Sequence, residues 1–207
     1  MITILGAGGA IGSELVKELI ARNEPIRLVS RNPKPVPGAA EAVAADLSNL
    51  DDTVKALAGS RVAFLLVGLK YDITVWRALW PRIMRNAIEA AKSGNARLVF
   101  FDNVYMYGKV EGAMTEQTPF RPCSKKGEIR AQIATMLLKR DEDGQPHGTH
   151  RALGRLLWPP RPDRHPQCFG VRQIGQGCQS DLACQRFSEA LVHLHAGCRA
   201  ESGSTSG

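Results

Sequence analysis

Residues 2–12 read ITILGAGGAIG: a short apolar run, then a turn with Gly6, Gly9 and Gly12 at G-x-x-G-x-x-G spacing and Gly8 as an extra glycine. From Ala10 the pattern changes, with Ile11, Leu15, Leu19 and Ile20 at helical spacing. A strand, a glycine turn and a helix in that order form the context in which such a triplet cradles a pyrophosphate. A Cβ would hold the backbone away from the phosphates, the third glycine lets helix and strand pack closely, and the helix start offers N–H groups and partial positive charge. A merely flexible turn does not explain three glycines in that register.

Strand and helix patterns alternate outward from this turn. Strands are predicted at 26–30 (IRLVS), weakly at 42–45, at 61–67 (RVAFLLV) and at 97–101 (RLVFF). Helices are predicted at 10–22, at 50–58 with Ser48 or Asn49 as cap, at 73–93 and near 125–138. Pro81 is expected to kink or divide the third of these, because it lacks a donor and crowds the preceding turn. Strands separated by helices predict an α/β fold: a Rossmann-type, doubly wound parallel sheet of order 3-2-1-4-5 with right-handed crossovers, occupying residues 1–138.

The second strand ends in Ser30-Arg31-Asn32, without the carboxylate that would accept from both ribose hydroxyls of NAD. An arginine there can pair with a 2′-phosphate, so NADP is the favoured cofactor and NAD the alternative, with Arg31 then a solvated loop residue.

The run from Met1 to about Leu138 resembles the extended and atypical short-chain dehydrogenase/reductases, the NAD(P)-dependent epimerase/dehydratase group. The resemblance rests on GAGGAIG, Asp46-Leu47, the strand at 61–67, FFDNVYMYG at 100–108 and TEQTPFRPCSKKG at 115–127. It implies cofactor contacts from Gly6, Gly8, Gly9, Ala10, Ile11, Gly12, Arg31, Asp46 and Leu47. It also implies a small-molecule substrate, a sugar nucleotide or a related carbonyl or alcohol.

Chemistry in that group uses a tyrosine phenol, a lysine four residues later and a serine or threonine after strand five. Lys126, Arg130 and Asn103 stand at those three positions. Asn103 can donate to a carbonyl oxygen, Arg130 can hold a ribose or phosphate, and Lys126 is a poor acid–base group unless burial lowers its pKa. Tyr105 or Tyr107 can supply a phenol, or can simply pack beside the sheet. An oxidoreductase of the atypical kind is therefore the first reading; a non-catalytic NADP-binding module or an inactive fragment is the alternative. The group also pairs through helices after strand four, here the helix of Trp76, Trp80 and Met84. That stripe reads either as a homodimer contact or as core.

The net charge is +7, but Arg and Lys are dispersed among acids with no dense run, which argues against a nucleic-acid ligand. No stretch approaches the length of a membrane span, and Met1 leads straight into a strand, so the expectation is a cytoplasmic protein without a membrane partner.

Composition changes after Leu138. All five His residues, four of the five Cys and only one Lys against eight Arg lie in 139–207. Read one base later, HGTHRALGRLLWPP at 147–160 can encode TALIARSADFYGP, close to the group's strand-six segment. VRQIGQG at 171–177 and EALVHLHAGC at 189–198 permit FDKLAKG and KHSFTYTPDA in the same offset. The reading frame is expected to slip near Leu138–Lys139, leaving an irregular, out-of-frame tail and a sheet that lacks its sixth strand. Cys168, Cys178, Cys184, His193, His195 and Cys198 contain no tight C-x2–4-C pair, so no metal is expected.

Overall fold

The computed structural model describes residues 1–112, 114–115, 117–139 and 148–152. β1 (Ile2–Leu5) leads through the glycine turn into α1 (Ala10–Ala21), followed by β2 (Ile26–Ser30) and β3 (Glu41–Ala44). α2 (Leu50–Leu57), β4 (Val62–Leu65), α3 (Ile73–Ser93) and β5 (Arg97–Asp102) come next. A 3-10 turn at Tyr105–Tyr107, α4 (Lys125–Leu138) and β6 (Gly148–Ala152) complete the order.

The strands form one sheet ordered β3-β2-β1-β4-β5-β6, with every neighbouring pair parallel. This is the α/β, Rossmann-type order expected, 3-2-1-4-5, and the sheet is one strand wider. Gly148–Ala152 pairs with Leu98–Asp102, so the expectation of a sheet without a sixth strand is corrected. A strand needs only main-chain donors and acceptors in register, which hydrophobic periodicity does not reveal. The other residues expected to form an irregular tail, and the His and Cys residues considered for a metal, lie outside the described residues.

β1 and β4 are buried at all four positions, as central parallel strands covered on both faces must be. One side of the sheet packs on α2, α3 and α4 in a continuous core that includes Leu57, Trp80, Met84, Phe100 and Ile133. The Trp76–Trp80–Met84 stripe is part of that core, each residue at most 4 % exposed. The homodimer contact considered for the stripe is therefore not available through these side chains.

Local signals set the ends of the helices. Asn49, not Ser48, caps α2: its Oδ1 accepts from Asp52 N at 3.1 Å. Asp72 caps α3, accepting from Thr74 N at 2.8 Å and Val75 N at 3.2 Å. Ser124 Oγ accepts from Gly127 N at 3.0 Å at the start of α4. α3 runs unbroken through Pro81, correcting the expectation that proline would divide it. The proline removes one rung, while Trp76, Trp80, Ile83, Met84 and Ala87 hold both halves against the same core. No helix among the described residues is long and apolar enough to cross a membrane.

Candidate functional site

The parallel strands all point their C-terminal ends to one edge, and Gly6, Arg31, Asp46 and Asn103 follow directly on β1, β2, β3 and β5 at that edge. Gly6 follows β1 with φ +92°, and a Cβ on it would stand 2.9 Å from the Val67 backbone beyond β4. Gly12 is closed from the other side: its Cβ would meet the Ala7 carbonyl oxygen at 2.7 Å. These two glycines are structural requirements of the turn.

Gly8 and Gly9 differ from them. Both are exposed, and among the described residues a Cβ on either would meet nothing within 4 Å. The space beside them is a cradle that a side chain would fill. Gly9 is the N-cap of α1, no side chain caps it, and the first turn contains no acid. Ala10 and Ile11 form the opening of that turn. The helix start therefore presents main-chain N–H groups and positive partial charge to open space, which suits a pyrophosphate.

Arg31 lies exposed just after β2. Asp46 lies exposed just after β3, and its carboxyl is held below the usual range by the Ser48 main-chain N–H first, then by the Ser48 side chain and, more weakly, by Arg31 and Arg82. Both arginines thus stand close enough to be felt at one carboxylate. Leu47 is oriented otherwise: its side chain is in the core at 7 % exposure. Its carbonyl accepts from buried Asn86 Nδ2 at 3.0 Å.

The remaining candidate residues lie on the segment after β5 and in the first turns of α4, beside the segment after β4. Asp102 Oδ1 accepts the Asn103 N–H at 2.7 Å, and Asn103 Oδ1 accepts the Tyr105 N–H at 3.0 Å. Asn103 thereby fixes the turn and keeps its amide nitrogen for other partners. Lys126 does not enter an apolar pocket; its Nζ lies 3.1 Å from the Tyr71 ring centroid. Arg130 points inward instead. Its guanidinium is 3.0 Å from Asp102 Oδ1, 4.0 Å from the Trp80 ring centroid and 4.7 Å from that of Trp76.

Among the described residues the Nε and Nη1 of Arg130 have no hydrogen-bond partner, so the contact of Nη1 with Asp102 is an ion pair without an aligned hydrogen bond. Burial lowers the Arg130 pKa, and the Asp102 and Tyr105 charges oppose that shift. The structure brings Asn103 and Lys126 to one neighbourhood and turns Arg130 beneath it. Sequence reasoning missed Tyr71 and Asp102. Tyr71 carries no local signal linking it to position 126, 55 residues away, and only the crossover topology joins them.

Residues 6–134 match a family model described as NAD(P)H-binding. The chain belongs to the NAD(P)H-binding family. A nicotinamide dinucleotide is accordingly a ligand of the chain. Among curated proteins none matches in sequence. Solved structures similar to this NAD(P)H-binding chain include uronate dehydrogenase from Agrobacterium tumefaciens, at 21 % identity and TM-score 0.58, covering 66 % of this chain and 53 % of that one. A UDP-galactose 4-epimerase is similar at 24 % identity and TM-score 0.58, over 66 % of this chain and 50 % of that one. The Bordetella bronchiseptica enzyme WbmG, in complex with NAD and UDP, is similar at 16 % identity and TM-score 0.59, over 74 % and 51 %. The chain spans about half the length of these structures, and at such identity the likeness shows the fold.

Proposed function

We propose that the chain is an NADP-dependent oxidoreductase acting on a carbonyl or alcohol group of a small molecule, a sugar nucleotide or a relative of one. The open cradle at Gly8 and Gly9, facing an uncapped and acid-free helix start, carries this reading. Gly6–Gly12 would hold the pyrophosphate, Arg31 the 2′-phosphate, and Asp46 with the Leu47 main chain the adenine side. A bound dihydronicotinamide supplies hydride. The chain itself positions the acceptor near Asn103, whose side-chain amide can donate to a carbonyl oxygen.

The substrate class is supported by the solved structures of similar fold, among them a UDP-galactose epimerase and a protein bound to NAD and UDP. The decisive experiment titrates the full chain with NADPH and NADH, then follows NADPH oxidation against UDP-sugars and simple aldehydes. Tighter NADPH binding with turnover of at least one carbonyl compound is the expected result. Equal or tighter NADH binding overturns the cofactor assignment, and binding without any turnover overturns the enzymatic one.

A second reading, a non-catalytic NADP-binding module, is favoured by one observation. The two α4 positions where the resemblance implies a proton relay hold cations engaged elsewhere, Lys126 on Tyr71 and Arg130 on Asp102.

A further inference from the structure

Two phenols and an ammonium gather around Trp76, beyond the C-terminal ends of β4 and β5, in positions that the glycine turn does not use. Tyr71 meets Trp76 edge-on at 5.6 Å, and Tyr105 stacks on the same indole at 6.4 Å with 21° between the planes. Trp76 is buried, while Tyr71 is 66 % and Tyr105 41 % exposed. Lys126 holds Tyr71 from the α4 side, over the ring and by donating from Nζ to the Tyr71 carbonyl at 3.4 Å. The Tyr105 backbone is fixed as well. Its N–H is taken by Asn103, and its carbonyl oxygen would lie 2.5 Å from a Cβ on Gly127, so α4 seats directly upon it. Tyr107, the other phenol of the segment, turns to Phe120 at 5.3 Å.

We propose that the Tyr105 phenol is the proton donor of this site, with Tyr71 as the hydroxyl that reconnects it to water. The pair thereby fills a role for which position 126 offers no phenol. This rests on the reading of the chain as a carbonyl-reducing enzyme. Hydride arriving at a carbonyl carbon sends the π pair onto oxygen. The Tyr105 O–H bond breaks as the product O–H bond forms, and the phenolate regains a proton from Tyr71, which is refilled from water. One carbonyl, one hydride and one water-derived proton give one alcohol.

The charged and titratable groups around Tyr105 suit the role. Burial first, then hydrogen bonding with Tyr71 and the Tyr71 charge, push the Tyr105 phenol up, so that it carries its proton at neutral pH. Arg130, from α4, pulls the other way and favours the phenolate once formed. Asp102 is paired with Arg130, and Lys126 and Asp72 lie toward Tyr71.

The test uses the full chain with Tyr105→Phe, Tyr71→Phe and, as control, Tyr107→Phe. Folding is checked by melting, NADPH affinity by fluorescence titration and tyrosine ionisation by alkaline absorbance. Tyr105→Phe is expected to keep NADPH affinity and to lower kcat by about 10²–10⁴-fold. Tyr71→Phe is expected to give a smaller loss, and Tyr107→Phe none. The absorbance titration should lose a late-ionising phenol in Tyr105→Phe and show that phenol moved earlier in Tyr71→Phe. Wild-type turnover in Tyr105→Phe, or a late phenol that survives in it, overturns the proposal while leaving the oxidoreductase reading intact. If the parent chain binds NADPH but reduces no carbonyl, the oxidoreductase reading itself fails and this assignment fails with it.

Discussion

Arg130 lies 3.0 Å from Asp102, with both side chains buried, at 8 % and 0 % exposure. The pair joins α4 to the end of β5, and the same carboxylate anchors Asn103 and, through it, Tyr105. Removing one member of such a pair leaves the other charge buried, a cost of about 3–5 kcal/mol. Arg130→Met should therefore lower stability by that order in chemical denaturation. Arg130→Lys should recover part of the loss, because it restores the charge but not the flat stacking on Trp80. A stability loss below about 1 kcal/mol for Arg130→Met would show that the pair does not hold α4 to the end of β5.

The cradle glycines divide into two kinds, and substitution should separate them. Gly9→Val is expected to fold normally and lose NADPH binding, since its side chain would enter open space beside the helix start. Gly12→Val is expected to lose folding yield or stability, because a Cβ already meets the Ala7 carbonyl at 2.7 Å. Melting curves together with NADPH titration check both. A stable Gly9→Val chain with undiminished affinity would remove the cradle from the cofactor site.

Arg31→Asp tests the 2′-phosphate assignment. NADPH affinity should fall by about tenfold or more, equivalent to at least ~1.4 kcal/mol, while NADH affinity holds or rises. Parallel losses for both dinucleotides would mean that Arg31 acts on something other than the 2′-phosphate.

The Asp72 carboxylate is held below its usual pKa by the Val75 N–H first and the Thr74 N–H second. A depressed folded-state pKa stabilises the fold above the ordinary aspartate value, about 4. That contribution disappears as pH falls through the lower folded value. Asp72→Asn keeps a capping acceptor without the titration. The melting temperature of the wild type should therefore fall more steeply than that of Asp72→Asn below about pH 4. Parallel curves from neutral to acid pH would exclude a cap that titrates.

Much of the fold was legible because its signals are local. β2 and α3 fall where the apolar pattern placed them, and the glycine spacing marked the turn at Gly6–Gly12. Pro81 misled because a proline costs one hydrogen bond locally, whereas the core on which Trp80 and Met84 pack is assembled from distant strands. The site was legible at single positions and not in their relations. Asn103, Lys126 and Arg130 were named from the sequence, yet the inward turn of Arg130 toward Asp102 and the hold of Lys126 on Tyr71 depend on side chains 28 and 55 residues apart. No periodicity encodes such a meeting.

β6 closes the order of the sheet by pairing residues 148–152 with β5 through main-chain register. Peptide N–H and C=O groups are common to nearly every amino acid, and GTHRA contains no proline to interrupt the ladder. The outermost slot thus asks little of the chain that fills it, whereas the turn at Gly12 accepts a single residue type. Tolerance to substitution is graded across the sheet, strict along the central strand and its glycine turn and permissive at the rim. The sixth place in such a sheet goes to a segment that offers its main chain in register with β5.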